Sequence, residues 1–369
     1  MHYLYVIIFI FILILIYIFT VYKPSLDISM SPLNNNIDNT IFISIASYRD
    51  PQCSETIKDA FNKAYDPSRI FIGLCQQNYP VDEDAVEEYI KSAGSNNYSS
   101  NIRTIRLSAD QAKGPMYARS LIESELYKNE TYYLIIDSHM LFIPNWDLQM
   151  ISEYNKCLIT SEKPILTTYP DDFKVHHRIN PPLNYEHKTG SYLRFKCFNS
   201  NTGLPELEGP SLKKLVDKPL KGMFWAGGFS FTSGIAIKEV PYDPYCDYVF
   251  IGEEISMALR YWTTGYDFYT PGKMMIYHMW ERVRPTYWQQ FDNPNNITHQ
   301  QRIEKEKQGY IRLKTLFDDS TNKRDYGIGT VRSLKQYEDM IGINLKECRI
   351  YGKGGSLGYH EQDELKFKY

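Results

Sequence analysis

Residues 132–142 read Tyr-Tyr-Leu-Ile-Ile-Asp-Ser-His-Met-Leu-Phe. An apolar and aromatic run passes directly into Asp137, Ser138 and His139, and apolar residues resume at Met140, so the polar triplet falls where a buried strand ends. Open α/β sheets place their chemistry at that edge. Asp137 and His139 are one residue apart. On a chain leaving the strand, a carboxylate oxygen and an imidazole nitrogen can therefore reach one ion, a donor pair suited to Mn2+ or a similar divalent metal. The same triplet also fits Asp137 capping the next turn and His139 lying in an ordinary loop.

Outward from this stretch, strand and helix patterns alternate. Ile41–Ala46 is a β-branched run ending in Ser47-Tyr48-Arg49-Asp50, and Ser54–Tyr65 follows as an amphipathic helix. Arg69–Cys75 and Ile102–Leu107 are further strands, and Asp82–Ser92 is a helix. Pro115–Lys128 is the helix that feeds Tyr133–Ile136, and Pro144–Leu158 is the helix after it. This alternation predicts an α/β fold with a mainly parallel central sheet flanked by helices.

The second half is less regular. Residues 164–222 are rich in Pro, Gly, Asn and Lys and are expected to form a substrate-covering loop region. His176 and His177 are expected at its surface, because adjacent side chains of an extended segment point opposite ways. Residues 223–235, Met-Phe-Trp-Ala-Gly-Gly-Phe-Ser-Phe-Thr-Ser-Gly-Ile, set paired glycines between aromatics. Such a pair permits either close backbone approach to a ligand or a bulged core strand. Tyr248–Ile251 leads into Gly252-Glu253-Glu254 and a helix through Trp262, whose dipole alone accounts for carboxylates at its start. Lys273–Tyr277 predicts a last strand with His278 immediately after it. Helices follow over Gln301–Phe317 and Ser333–Ile341, and Gly352–Gly358 reads as a linker.

The 369 residues are 43% apolar and 23% charged, enough for one large or two modest domains with a core. A net charge of −3 supplies no basic field and sets nucleic-acid binding aside. The six cysteines are scattered, with no Cys-x-x-Cys pair to indicate structural zinc and no disulfide framework. Residues 3–22 carry no charge and are long enough to cross a bilayer as a helix, so residues 1–22 are read as a single-pass membrane anchor. The basic start and small-residue cleavage site of a removable signal are missing. Lys23 favours a cytosolic body, and residues 23–40 read as a flexible stem. The sequons at Asn97, Asn129 and Asn296 matter only on a lumenal body.

Gly114-Pro-Met-Tyr-Ala-Arg119, a helix, and then Leu-Ile-Ile-Asp137-Ser-His139 resemble the polypeptide N-acetylgalactosaminyltransferases. A closer resemblance is to the hydroxyproline N-acetylglucosaminyltransferases that modify a cytoplasmic ubiquitin-ligase subunit. It rests on Ser47-Tyr48-Arg49-Asp50, Ala-Arg119, Ile-Asp137-Ser-His139, Trp146-Asp147, Trp225-Ala-Gly227-Gly228-Phe, Gly252-Glu253-Glu254, His278 and Tyr326-Gly-Ile-Gly-Thr330, in that order. The match covers residues 41–345 and leaves 346–369 as a tail.

This resemblance implies a GT-A fold, a nucleotide-sugar donor and a divalent metal, Mn2+ or Mg2+, held by Asp137, His139 and His278. It implies Arg119 beside the donor phosphates or base, Ser47, Tyr48, Arg49 and Asp50 around the uracil and ribose, and Trp225, Gly227 and Gly228 along the sugar and acceptor. Glu253 or Glu254 would bind sugar hydroxyls and complete the catalytic set with Arg119. Both families retain the anomeric configuration, so no strong enzyme nucleophile is required. The implied activity is metal-dependent transfer of N-acetylglucosamine from UDP-GlcNAc to a hydroxyl acceptor, with protein hydroxyproline as the acceptor class. A transferase using another UDP-sugar or a glycan acceptor, and an inactive membrane-anchored carbohydrate- or protein-binding module, are the alternatives.

Overall fold

Ile41–Tyr48 (β1), Ile70–Asn78 (β2), Ile102–Ser108 (β3) and Tyr132–Ile136 (β4) lie side by side and parallel, in the order β3-β2-β1-β4. The computed structural model describes residues 39–178, 188–281, 297–318 and 325–353. Both faces of the central strands are buried, which is why they read as continuous apolar runs rather than alternating ones. On β4, Tyr133 and Ile135 enter one core while Tyr132, Leu134 and Ile136 enter the other.

Cys53–Lys63 (α1) and Ala85–Ala93 (α2) cross between the parallel strands. The buried stripe of α1, Cys53, Thr56, Ile57, Ala60 and Phe61, follows the helical period. Asp84 caps α2 by accepting the N–H groups of Val86 and Glu87. Pro115–Leu121 (α3) is shorter than the predicted helix, because the chain widens into a π-helical turn over Ile122–Leu126 before β4. Met140–Phe142 (β5) follows the polar triplet, and Trp146–Cys157 (α4) comes next. Trp146 and Asp147 belong to the scaffold. The Trp146 indole N–H donates to the Ala60 carbonyl at 2.9 Å, and Asp147 accepts the N–H groups of Tyr65 and Asp66 at 2.7 and 3.2 Å.

The described residues of 164–222 hold more regular structure than their composition implies. They contribute Pro164–Thr167 (β6), a hairpin of Arg194–Phe198 (β7) and Pro205–Glu208 (β8), and Leu220–Lys221 (β9). Short strands bounded by Pro and Gly leave no period for the eye to find. Phe229–Ser233 (β10) is a core strand that runs antiparallel between β4 and β6. Asp267–Thr270 (β11), absent from the sequence reading, pairs parallel with β6 and antiparallel with β9, completing the sheet order β4-β10-β6-β11-β9.

Ile276–His278 (β12) pairs antiparallel with β5, outside the main sheet. His278 is thus the last residue of a strand, whereas the sequence placed it just beyond one. Ile235–Glu239 (α5) follows β10, and Glu253–Thr263 (α6) is buried along almost its whole length. Ile297–Lys314 (α7) and Leu334–Ile341 (α8) follow, the latter opened by a capping box between Ser333 and Gln336. Tyr326-Gly-Ile-Gly-Thr330 lies over the end of α6, where the Gly329 N–H donates to Thr263 Oγ1 at 2.8 Å. A Cβ on Gly329 would meet the α6 backbone at 2.5 Å, so this motif needs glycine for close packing.

The His177 ring nitrogen Nδ1 accepts the Lys174 N–H at 3.0 Å within a short turn. Among the described residues no helix is long and apolar enough to cross a membrane. The expected anchor at 3–22, most of the stem, Asn296 and the end of Gly352–Gly358 lie outside the described residues.

Candidate active site

The polar triplet leaves β4 where the parallel strands end, and two tertiary contacts fix its course. Thr56 of α1 donates its hydroxyl to the Ser138 carbonyl at 2.8 Å and accepts the Met140 N–H at 2.9 Å. The β5–β12 ladder pairs Met140 with His278, and the Met279 N–H donates to the His139 carbonyl at 3.1 Å. His278 is thereby delivered beside His139.

Asp137, His139 and His278 present ligand atoms that all lie within 4.8 Å of one another. His278 Nε2 is 3.0 Å from His139 Nε2 and 3.1 Å from Asp137 Oδ2. His139 turns its other nitrogen, Nδ1, to Asp50 Oδ2 at 2.6 Å. Asp50 also accepts the Ser138 hydroxyl at 2.6 Å and the Gln52 N–H at 2.9 Å. Burial opposes ionisation of Asp50, yet these partners, His139 foremost, hold its carboxyl down at about 2. An ionised Asp50 fixes the His139 tautomer with the proton on Nδ1 and the lone pair on Nε2, facing the other two ligands. Histidine ligands of metals are commonly held this way. Two imidazoles and one carboxylate converging on one point suit a divalent cation.

Arg119, on α3, is buried among the acidic groups. Its Nη1 donates to Glu253 Oε1, and its Nη2 donates to the Gly227 carbonyl at 2.8 Å and to Asp137 Oδ1 at 3.2 Å. Burial works against its charge, but Glu253, Tyr242 and Asp137 more than compensate and hold it protonated. Burial likewise opposes ionisation of Asp137, and His278, Arg119 and His139 reverse this, so its pKa lies well below the usual carboxylate range. Glu253 also accepts the Tyr242 hydroxyl at 2.6 Å.

Gly252, with φ of +117°, turns the chain into α6 so that two successive carboxylates open the helix. Neighbours on a helix point about 100° apart. Glu253 accordingly faces Arg119, while Glu254 accepts the Tyr169 hydroxyl. Burial pushes the Glu254 carboxyl up to about 8.

These groups line a cavity of about 420 Å³ that includes Arg119, Asp137, Glu253, Glu254 and His278. Gly227 and Gly228 form part of its wall. A Cβ on Gly227 would stand 2.7 Å from Arg119 Nη1, and one on Gly228 would stand 3.2 Å from Asp137 Oδ2. The paired glycines therefore let the backbone approach the site's own charged groups.

The other sequence-selected residues are placed differently. Trp225 is fully buried, packs against Tyr242 and Tyr261, and donates its indole N–H to Ser230 Oγ at 2.8 Å. Its ring lies in the core and not among the residues lining the cavity. Ser47, Tyr48 and Arg49 end β1 and are not among the residues lining the cavity. Ser47 is buried. Tyr48 packs beside Ala112 and Tyr248. Arg49 makes two hydrogen bonds to Asp82, at 2.7 and 3.1 Å, and lies over the Tyr79 ring. Asp50, grouped with them in the sequence, turns to His139 instead.

Tyr169, Tyr242 and Trp280 reach the site without a sequence signal that singled them out. Trp280 is 52% exposed at the cavity wall, its ring 4.1 Å from that of His278 and edge-on to Tyr169 at 6.1 Å. Its position two residues after His278 was the available clue.

The family model described as "Glycosyltransferase (GlcNAc)" matches residues 40–97 and 90–347. No curated protein sequence matches the chain. Solved structures similar to it include GalNAc-T7 with UDP, GalNAc and Mn2+, at 14% identity and a TM-score of 0.49, covering 81% of this chain and 54% of that one. They also include S. aureus TarS 1-349 in complex with UDP-GlcNAc, at 9% identity, a TM-score of 0.41 and coverage of 76% and 74%. A third is the mannosyltransferase PcManGT from Pyrobaculum calidifontis with GDP-Man and Mn2+, at 9% identity, a TM-score of 0.41 and coverage of 76% and 72%.

Proposed function

We propose, from the premise that this chain belongs to the glycosyltransferase (GlcNAc) family, that it is a metal-dependent retaining transferase of the GT-A kind. It moves N-acetylglucosamine from UDP-GlcNAc to a hydroxyl acceptor, with hydroxyproline in a protein as the acceptor class. In the same reading residues 3–22 anchor the chain in a membrane with the catalytic body on the cytosolic side.

The observation that carries the reading is the convergence of Asp137, His139 and His278 beside Arg119, with Arg119, Asp137 and His278 on the wall of one cavity. These three residues would hold a divalent cation, and such a cation would supply positive charge where the diphosphate departs. Arg119 contributes a fixed second positive charge at the same edge. Glu253 and the Gly227 carbonyl orient its guanidinium, and the planar fork suits phosphate oxygens. Glu254, held mostly neutral by burial, is placed on the cavity wall to exchange hydrogen bonds with sugar hydroxyls. The anomeric carbon loses its bond to the UDP oxygen and gains one to the acceptor oxygen on the same face, while the acceptor proton leaves with the released diphosphate.

UDP release by the purified chain with UDP-GlcNAc, with and without Mn2+, tests this. Release that needs the metal and is lost in Asp137→Ala supports the transferase. Release with a different UDP-sugar alone corrects the donor. Absence of release with any UDP-sugar, together with metal-independent glycan binding, replaces the enzyme with a binding module.

A further inference from the structure

Several polar side-chain atoms near Arg119 are shut from solvent with no hydrogen-bond partner among the described residues. They include Glu123 Oε1 on the π turn, Tyr261 Oη on α6 and Arg119 Nε itself. They belong together, because the Glu123 carboxyl lies within electrostatic reach of both Arg119 and the Tyr261 hydroxyl. Buried polar groups of native proteins are satisfied, and a polar chamber with several converging donors and acceptors is where internal water sits.

The wiring around this chamber leads to the active site. Glu123 Oε2 accepts the backbone N–H of Tyr242 at 2.7 Å, and the Tyr242 hydroxyl donates to Glu253, which holds Arg119 Nη1. The two outer nitrogens of Arg119 are engaged by Glu253, Asp137 and Gly227, so the guanidinium plane is set at its far end. Its Nε is shut from solvent and has no hydrogen-bond partner among the described residues. Glu123 and Tyr242 also line a surface recess of about 350 Å³, which gives water a route inward.

We propose that Glu123 is a positioning residue for Arg119, acting through buried water that links the Glu123 carboxyl and the Tyr261 hydroxyl to Arg119 Nε. Glu123 touches neither donor nor acceptor. It keeps the guanidinium aimed at the point where charge develops, and this role rests on the reading of Arg119 as a phosphate-facing residue.

The test compares Glu123→Gln, which keeps one acceptor oxygen, with Glu123→Leu, which keeps the volume and removes the polar atoms, and with Tyr261→Phe. With UDP-GlcNAc and Mn2+, Glu123→Leu is expected to lower kcat roughly 100-fold, the scale of a misplaced catalytic group, with KM for the donor and Mn2+ affinity unchanged. Glu123→Gln restores most of that loss, and Tyr261→Phe falls between. Equal losses in the Gln and Leu variants, or a fall that merely follows the melting temperature, would show a structural role and overturn the proposal. If the unaltered chain turns over no UDP-sugar, the transferase reading fails by itself, and a crystal structure of the chain then decides the chamber. Ordered water bonded to both Arg119 Nε and Glu123 supports it, whereas a dry chamber or a direct Arg119–Glu123 contact rejects it.

Discussion

His139 and His278, separated by 139 residues, face each other with their Nε2 atoms 3.0 Å apart. Asp50 stands 2.6 Å from the other ring nitrogen of His139, and Asp137 stands 3.1 Å from His278 Nε2, so both Nε2 atoms and a carboxylate oxygen converge on the proposed metal position. His139→Ala and His278→Ala should each reduce Mn2+-dependent UDP release by at least roughly 100-fold, as for loss of one electrostatic stabiliser, with the far-ultraviolet dichroism unchanged. Full activity in either variant removes that histidine from the site.

Asp50 reaches the proposed metal site through His139, whose Nδ1 it holds at 2.6 Å. Asp50→Asn keeps the size and one acceptor oxygen but loses the charge that opposes the imidazole N–H. Mn2+ affinity, measured by calorimetry, should weaken roughly 10- to 100-fold, the usual cost of losing a partner behind a ligand. A nucleotide-binding role for Asp50 would instead leave Mn2+ affinity intact and raise the dissociation constant of UDP.

The Gly227 position leaves no room for a side chain. An alanine Cβ would meet Arg119 Nη1 at 2.7 Å and Glu253 Oε1 at 3.0 Å, and both groups are locked by their partners. Gly227→Ala should lose roughly 100-fold in turnover by displacing the guanidinium. Gly228→Ala, whose Cβ meets Asp137 Oδ2 at 3.2 Å, should lose less. Equal activity of Gly227→Ala and the unaltered chain in a UDP-release assay would contradict the packing described.

Glu123 predicts a pH dependence of stability. Burial raises its carboxyl from the ordinary 4.5 to about 8; the Tyr242 N–H, Arg260 and Arg119 pull the other way, and Glu253 adds to the rise. The folded pKa exceeds the unfolded one, so the fold favours the neutral acid. Its contribution is complete below about pH 4.5 and disappears as the pH climbs through 8. The melting temperature of the unaltered chain should therefore fall relative to that of Glu123→Gln across this window. Parallel curves for the two proteins would show that Glu123 ionises normally in the fold.

Local pattern and tertiary contact divided the information unevenly. The parallel strands β1 to β4 and the polar triplet after Ile136 were legible in the sequence. A buried strand needs a continuous apolar run, and a polar triplet can sit only where that run stops. The glycine pair at 227–228 was legible as a close approach, since only glycine tolerates one. The burial of Trp225, next to that pair, was not legible, because an aromatic beside glycines looks the same whether its ring faces a ligand or the core.

Composition hid the strands of 164–222, β11 was too short to announce itself, and the reversed direction of β10 follows from its neighbours rather than from its residues. The sequence by itself determined the parallel half of the sheet, the edge at which the chemistry lies and which residue types stand there, because periodicity and strand ends are properties of adjacent residues. Only the tertiary structure decided that His278 meets His139, that Asp50 serves the histidine, and that Glu253 turns to Arg119 while Glu254 turns to Tyr169. Those pairings join segments tens to more than a hundred residues apart, and their partners are chosen by burial and strand register, which no local window contains.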